Sequence, residues 1–97
     1  MSKILVIGGT GLISTAVAQQ LCDRGADLTL FNRGRTPSRV RGNVTLLAGD
    51  RTDFADFENK VRAAGPWDVV IEMIVSDPAA AESLVRACRG RAGQVIF

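Results

Sequence analysis

The apolar positions of this chain follow two periods that take turns along its length. Lys3 to Ile7 is a short aliphatic run, and from about Leu12 to Arg24 the residues Ile13, Val17 and Leu21 recur every four positions. That spacing is the stripe of a helix packed on one side, and Gly25 is placed to stop it. Asp27 to Asn32 returns to strand character, with Leu28 and Leu30 flanking Thr29, and Val44 to Leu47 reads as a third strand. Asp53 stands as an N-cap before Phe54 to Ala64, where Phe54, Phe57 and Val61 share a face and Gly65-Pro66 ends the pattern. Asp68 to Val75 is β-branched and almost wholly apolar, as a strand covered on both faces must be. Asp77-Pro78 is a cap followed by a proline at the first helical position; it opens a helix to about Cys88 with Ala81, Leu84, Val85 and Cys88 inward. Gly93 to Phe97 begins a fifth strand.

Strands that alternate with helix-sized crossovers form a parallel sheet, and right-handed crossovers put helices on both of its faces. The expected fold is therefore a doubly wound α/β sheet of five strands in the order 3-2-1-4-5. In such sheets a ligand binds outside the carboxyl ends of the strands, where the strand order reverses. Here that place lies between strands one and four. The candidate site is then Gly8 to Ile13, Asn32 to Arg35, Gly49 to Arg51, and Met73 to Ser76.

The first of these stretches carries the most chemistry. Gly8 and Gly11 follow an aliphatic strand and open a helical pattern, so the chain turns sharply and brings bare N–H groups to a helix N-terminus. Such a strand-turn-helix binds phosphate, and a pyrophosphate above all. Ser14 stands where a third glycine would allow close packing of helix on strand, and its side chain is small.

Composition narrows the field without adding a site. Ninety-seven residues make one domain at most, and 46% hydrophobic with 23% charged is ordinary for a globular fold. No apolar run approaches the roughly 18 residues a membrane helix needs, and the N-terminus lacks the layout of a signal peptide. With Cys22 and Cys88 on helices, no CxxC spacing and no histidine, two reduced thiols and a cytoplasmic protein are expected, with no metal site and no membrane partner. A net charge of +2 is too small to argue for nucleic acid, and aromatic residues are not interleaved with the arginines.

Read together, Gly8-Gly9-Thr10-Gly11-Leu12-Ile13-Ser14, Asn32-Arg33-Gly34, Gly49-Asp50-Arg51-Thr52-Asp53 and Trp67-Asp68-Val69-Val70-Ile71 resemble the N-terminal part of the NAD(P)-dependent epimerase/dehydratase proteins. These are extended or atypical short-chain dehydrogenases/reductases with a Rossmann fold. The sequence departs from the family pattern at Ile7, where a threonine is usual, and at Ser14. The Asn-Arg-Gly setting is similar to the atypical branch, which includes chloroplast stem-loop-binding proteins and isoflavone-reductase-like enzymes. The resemblance implies that Asp50 accepts from the adenine amino group, that Arg51 backs the ring through its backbone, and that Met73, Ile74 and Val75 line the nicotinamide side, although these three equally suit plain sheet core. It also implies either a dinucleotide-dependent oxidoreductase, epimerase or dehydratase, or a member that binds the nucleotide without turning anything over. RNA binding is an outsider, motivated by the arginine loop and the resemblance to the chloroplast stem-loop-binding proteins.

The end of strand two bears on which dinucleotide is bound. A carboxylate about 20 positions after the glycine turn would select NAD by bonding the ribose 2'-OH. Asn32 is neutral there, and Arg33 and Arg35 follow it, so a guanidinium is at hand to take a 2'-phosphate in a bidentate fork; NADP is expected, with NAD the alternative. Arg39 and Arg41 read as a solvated loop. Asp50 and Asp53 also suit plain turn and cap roles, and Glu72, within an apolar strand, is a candidate site carboxylate that as a lone acid reads first as a strand-end residue facing solvent or paired with an arginine. Trp67 and the phenylalanines read as core.

No catalytic residue is found. The family resemblance implies a tyrosine acid/base with a lysine four residues on, whereas this chain has no tyrosine and its lysines are Lys3 and Lys60. The expectation is a cofactor-binding portion of a longer protein, with the small-molecule substrate contacted elsewhere. An edge strand bearing Val95, Ile96 and Phe97 would then face water, which predicts self-association.

Overall fold

The computed structural model describes residues 2–8, 12–32, 40–42, 44–73 and 77–96, with the side chains of residues 12–14 outside that description. Its elements are β1 (Lys3–Ile7), α1 (Leu12–Asp23), β2 (Asp27–Asn32), β3 (Val44–Ala48), α2 (Phe54–Ala64), β4 (Trp67–Glu72), α3 (Pro78–Cys88) and β5 (Ala92–Ile96). All neighbouring strands pair in parallel, in the order β3-β2-β1-β4-β5. The expected doubly wound topology is what forms.

The sheet's pleat sorts the core into two halves. Successive residues of β1 point to opposite faces. Leu5 and Ile7 join Phe31 and Val70 against Phe57 and Val61 of α2 and Leu84, Ala87 and Cys88 of α3. Ile4 and Val6 join Leu28 and Leu30 against Ala18 of α1. Each large aliphatic or aromatic side chain so buried contributes about 1.5–3 kcal/mol. The central strand therefore carries apolar residues without alternation because both of its faces are covered.

Three differences from the sequence reading have physical reasons. The apolar run of the fourth strand continues to Val75, yet β4 ends at Glu72. Its neighbour β1 ends at Ile7, to whose carbonyl the Met73 amide donates at 3.0 Å, and Ile74 and Val75 lie outside the described residues. The inward stripe of α3 is Ala80, Ser83, Leu84, Ala87 and Cys88, and Val85 is exposed instead. Burying Ser83 is possible because its hydroxyl donates to Glu58 Oε2 at 2.8 Å. Finally, among the described residues three helices serve the crossovers; between β2 and β3, residues 33–39 and 43 lie outside the description.

Two aspartates start their helices as the sequence suggests. Asp53 accepts from the Asp56 amide, Asp77 accepts from the Ala80 amide at 2.8 Å, and Pro78 follows where its missing N–H costs nothing. α2 and α3 are pinned side by side by Glu58, which also takes two bonds from Arg86 at 3.1 and 3.2 Å. The bonding guanidinium of Arg86 holds the Glu58 carboxyl below its ordinary range.

Candidate functional site

The carboxyl ends of the strands make one rim, stitched together by backbone bonds that run between neighbouring strands. The Gly8 amide donates to Phe31 of β2 at 2.8 Å, the Gly49 amide donates to Asn32 at 2.9 Å, and the Met73 amide donates to Ile7. Gly8, Asn32, Gly49 and Met73 thus sit along one edge, with the reversal of strand order at Gly8 and Met73.

Two glycines on this rim are required by its geometry. Gly8 ends β1 with φ of 92°, a conformation that strains any side-chain-bearing residue, so the turn at the switch point presents bare backbone. At Gly49 the reason is space. A Cβ there would stand 2.7 Å from Phe31 Cζ and 3.2 Å from Asp56 Oδ2. The rim is drawn tight over a buried ring.

Beyond Gly49 the chain folds into an aspartate turn. Asp50 Oδ1 accepts from the Thr52 amide at 2.8 Å and from its hydroxyl at 2.6 Å, fixing the turn before the Asp53 cap. Asp50 is exposed at the rim, while Arg51 turns its side chain inward. Arg51 Nε donates to Glu72 Oε1 at 2.7 Å and Nη2 donates to the Ala80 carbonyl at 2.6 Å. Its guanidinium lies 3.8 Å from the centroid of the Phe57 ring, and Phe57 in turn meets Phe31 edge to face at 5.1 Å. The side chains of Arg51 and Glu72 are 7% and 0% exposed, so this is an ion pair inside the protein. Of the roles open to Glu72, pairing with an arginine is the one found, and the solvent-facing one is not.

The remaining expected residues divide as follows. Leu12 and Ile13 begin α1, and Met73 is half-buried against the Val6 face of the sheet. Thr10, Gly11, Arg33, Arg35 and Ile74 lie outside the described residues. Where the chain returns to the described part, its course is held by α1: Gln19 Oε1 accepts from the Arg41 amide at 2.8 Å, and Gln19 Nε2 donates to the Arg41 carbonyl at 3.0 Å. Val40 packs on the same core half. Pairing of Glu72 with an arginine was expected from an acid inside an apolar strand, but that Arg51 is the partner was not, nor was the Gln19 grip. Cys22 and Cys88 are both free thiols, half-buried and buried.

Comparison with known proteins agrees with this geometry. The model of the NAD dependent epimerase/dehydratase family matches residues 4–92. The chain belongs to that family. A chloroplast stem-loop binding protein of 41 kDa from Arabidopsis thaliana is 37% identical over 61% of this chain and 15% of its own length. A 2'-dehydrokanamycin reductase from Streptomyces kanamyceticus is 30% identical over 91% of this chain and 25% of its own length. The chain therefore spans a quarter or less of these two relatives. Among solved structures, the Bordetella bronchiseptica enzyme WbmH in complex with NAD+ superposes with a TM-score of 0.70 at 20% identity, over 90% of this chain and 34% of that one. At that identity the likeness is one of fold. No helix among the described residues is long and apolar enough to cross a membrane.

Proposed function

We propose that this chain is the dinucleotide-binding domain of a longer NAD(P)-dependent oxidoreductase, epimerase or dehydratase, laid out so that the dinucleotide crosses the strand rim at the switch point. One observation carries the reading: Gly8, at the end of the central strand, turns with φ of 92° and leaves backbone alone where a pyrophosphate would approach. The residues present fit the group. Gly8, Thr10, Gly11, Leu12 and Ile13 would hold the pyrophosphate, Asn32, Arg33 and Arg35 the adenosine ribose, Asp50 and the Arg51 backbone the adenine, and Met73 and Ile74 the nicotinamide side. When bound, the nicotinamide supplies hydride transfer. This chain's own part is to bind and orient.

The neutral Asn32 followed by Arg33 and Arg35 favours NADP over NAD. Substrate contacts and proton transfer belong to the remainder of the longer protein, a division in keeping with the short share of each relative that this chain spans. The same proposal includes a cytoplasmic location, supported by the two free thiols, and self-association of the isolated domain through its sheet edges, where Leu46 is 58% and Ile96 45% exposed. The second reading is a dinucleotide-binding sensor without catalysis; a Tyr-x-x-x-Lys in the remainder of the longer protein favours the enzyme, and its lack there favours the sensor. RNA binding ranks below both, because the net charge is only +2.

Calorimetric titration with NADP and NAD side by side at low salt tests the reading. Tighter binding of NADP, with the preference lost in Arg33→Ala, is the expected result. A protein that binds neither dinucleotide refutes it.

A further inference from the structure

The buried arginine beneath the rim connects parts of the chain that are far apart in sequence. Arg51 follows the Asp50 turn at the end of β3; its Nε holds Glu72, the last residue of β4 and the neighbour of Met73, at 2.7 Å. Its Nη2 holds the carbonyl of Ala80 in the first turn of α3 at 2.6 Å. β3 and β4 are not adjacent in the sheet, since β2 and β1 lie between them. One guanidinium therefore spans from the Asp50 side of the rim to the Met73 side, and ties both to the start of a helix.

A buried ion pair is a poor way to make a fold stable, because desolvation of both charges offsets their attraction, and apolar residues of like volume often serve as well. The apolar core around this pair, with Leu5, Ile7, Val70 and Leu84 fully buried, is already continuous. What charged, directional bonds add is fixed geometry: the planar fork of an arginine accepts only a narrow range of partner positions.

We propose that Arg51 and Glu72 are positioning residues that hold the Asp50 and Met73 sides of the rim at one separation, so that the two halves of a dinucleotide bind as a unit. The inference rests on the dinucleotide reading given above. Neither side chain touches the ligand. Each half-site keeps its own local geometry without the pair, whereas the gain from linking the halves depends on their spacing.

The test uses the charge-free double variant Arg51→Met/Glu72→Leu, which leaves no unpaired charge behind, and the milder Arg51→Lys, which keeps the charge and loses the fork. Binding of NADP, NAD and adenosine 5'-diphosphate is measured by calorimetry for wild type and both variants, with thermal unfolding alongside. The expected result is adenosine diphosphate affinity within about twofold of wild type, and affinity for the preferred dinucleotide weaker by about tenfold or more in the double variant and several-fold in Arg51→Lys. A merely structural pair would weaken all three ligands together, or lower the melting temperature alone. Dinucleotide affinity within twofold of wild type in either folded variant overturns the proposal, and so does a parallel loss for adenosine diphosphate. Should the double variant not fold, Arg51→Lys decides the matter. A wild-type protein that binds no dinucleotide overturns the functional reading and this proposal with it, which separates that failure from the failure of the pair.

Discussion

Phe57 is the residue on which the interior of the site depends most, and its replacement by leucine can be worked through. The ring is fully buried, meets Phe31 edge to face with centroids 5.1 Å apart and planes at 88°, and lies under the Arg51 guanidinium at 3.8 Å. Leucine keeps an apolar side chain on the same helix face and loses both ring interactions. An aromatic pair contributes about 0.5–1.5 kcal/mol beyond its area, and a desolvated cation over a ring about 2 kcal/mol. The smaller side chain adds about 1 kcal/mol of lost burial. Phe57→Leu should therefore cost about 4 kcal/mol, a large share of the roughly 5–15 kcal/mol that a domain of this size has in all. Urea unfolding followed by the fluorescence of Trp67, the sole tryptophan and 3% exposed, reads this directly. The cation term is isolated by repeating the change in the Arg51→Met/Glu72→Leu background, where the cost should fall by about 2 kcal/mol. A cost that is the same in both backgrounds to within about 0.5 kcal/mol refutes the view that the ring holds the guanidinium.

Two further outcomes are expected. Burial, with a smaller push from the Glu72 charge, raises the Cys88 thiol from 9.0 to about 11. Between those values the unfolded chain has lost the proton and the folded one has kept it, so stability falls as pH rises from about 9 to 11, by about 2–3 kcal/mol, and is untouched below. Urea midpoints across that range should fall less steeply in Cys88→Ala; equal slopes in the two proteins would contradict the assignment. The isolated domain should sediment as dimers or larger species at tens of micromolar through its exposed edge strands. A clean monomer there ends that proposal.

How far the sequence spoke depended on whether the cause was local. β2 and α2 and the cap residues Asp53 and Asp77 were legible because strand alternation, helical spacing and capping are written within a few residues of one another. The need for glycine at position 8 was legible for the same reason, and its positive φ bears that out. The end of β4 at Glu72 was not, because a strand's extent depends on pairing, and its partner β1 is some sixty positions away in the chain. Val85 misled because its own helix offers it a place in an apolar stripe, whereas Glu58 on another helix makes the buried place comfortable for Ser83. The Arg51–Glu72 pair needed the topology itself. Glu72 stood out as an acid in an apolar strand, but its partner could not be named, because only the folding of β3 and β4 to one rim joins it to Arg51.

The grip of Gln19 on Arg41 has a consequence for how such a protein can change. The chain leaves the sheet at Asn32, whose carbonyl is held by the Gly49 amide, and rejoins the described fold at Val40 and Arg41, which are held by the core and by both atoms of one side-chain amide. The contacts described at these two anchor points come from the sheet, the core and α1. Substitution of the arginines proposed to tell one dinucleotide from another would leave these described anchors in place. On the proposed reading, cofactor preference is then open to exchange between lineages while the two anchor points are kept.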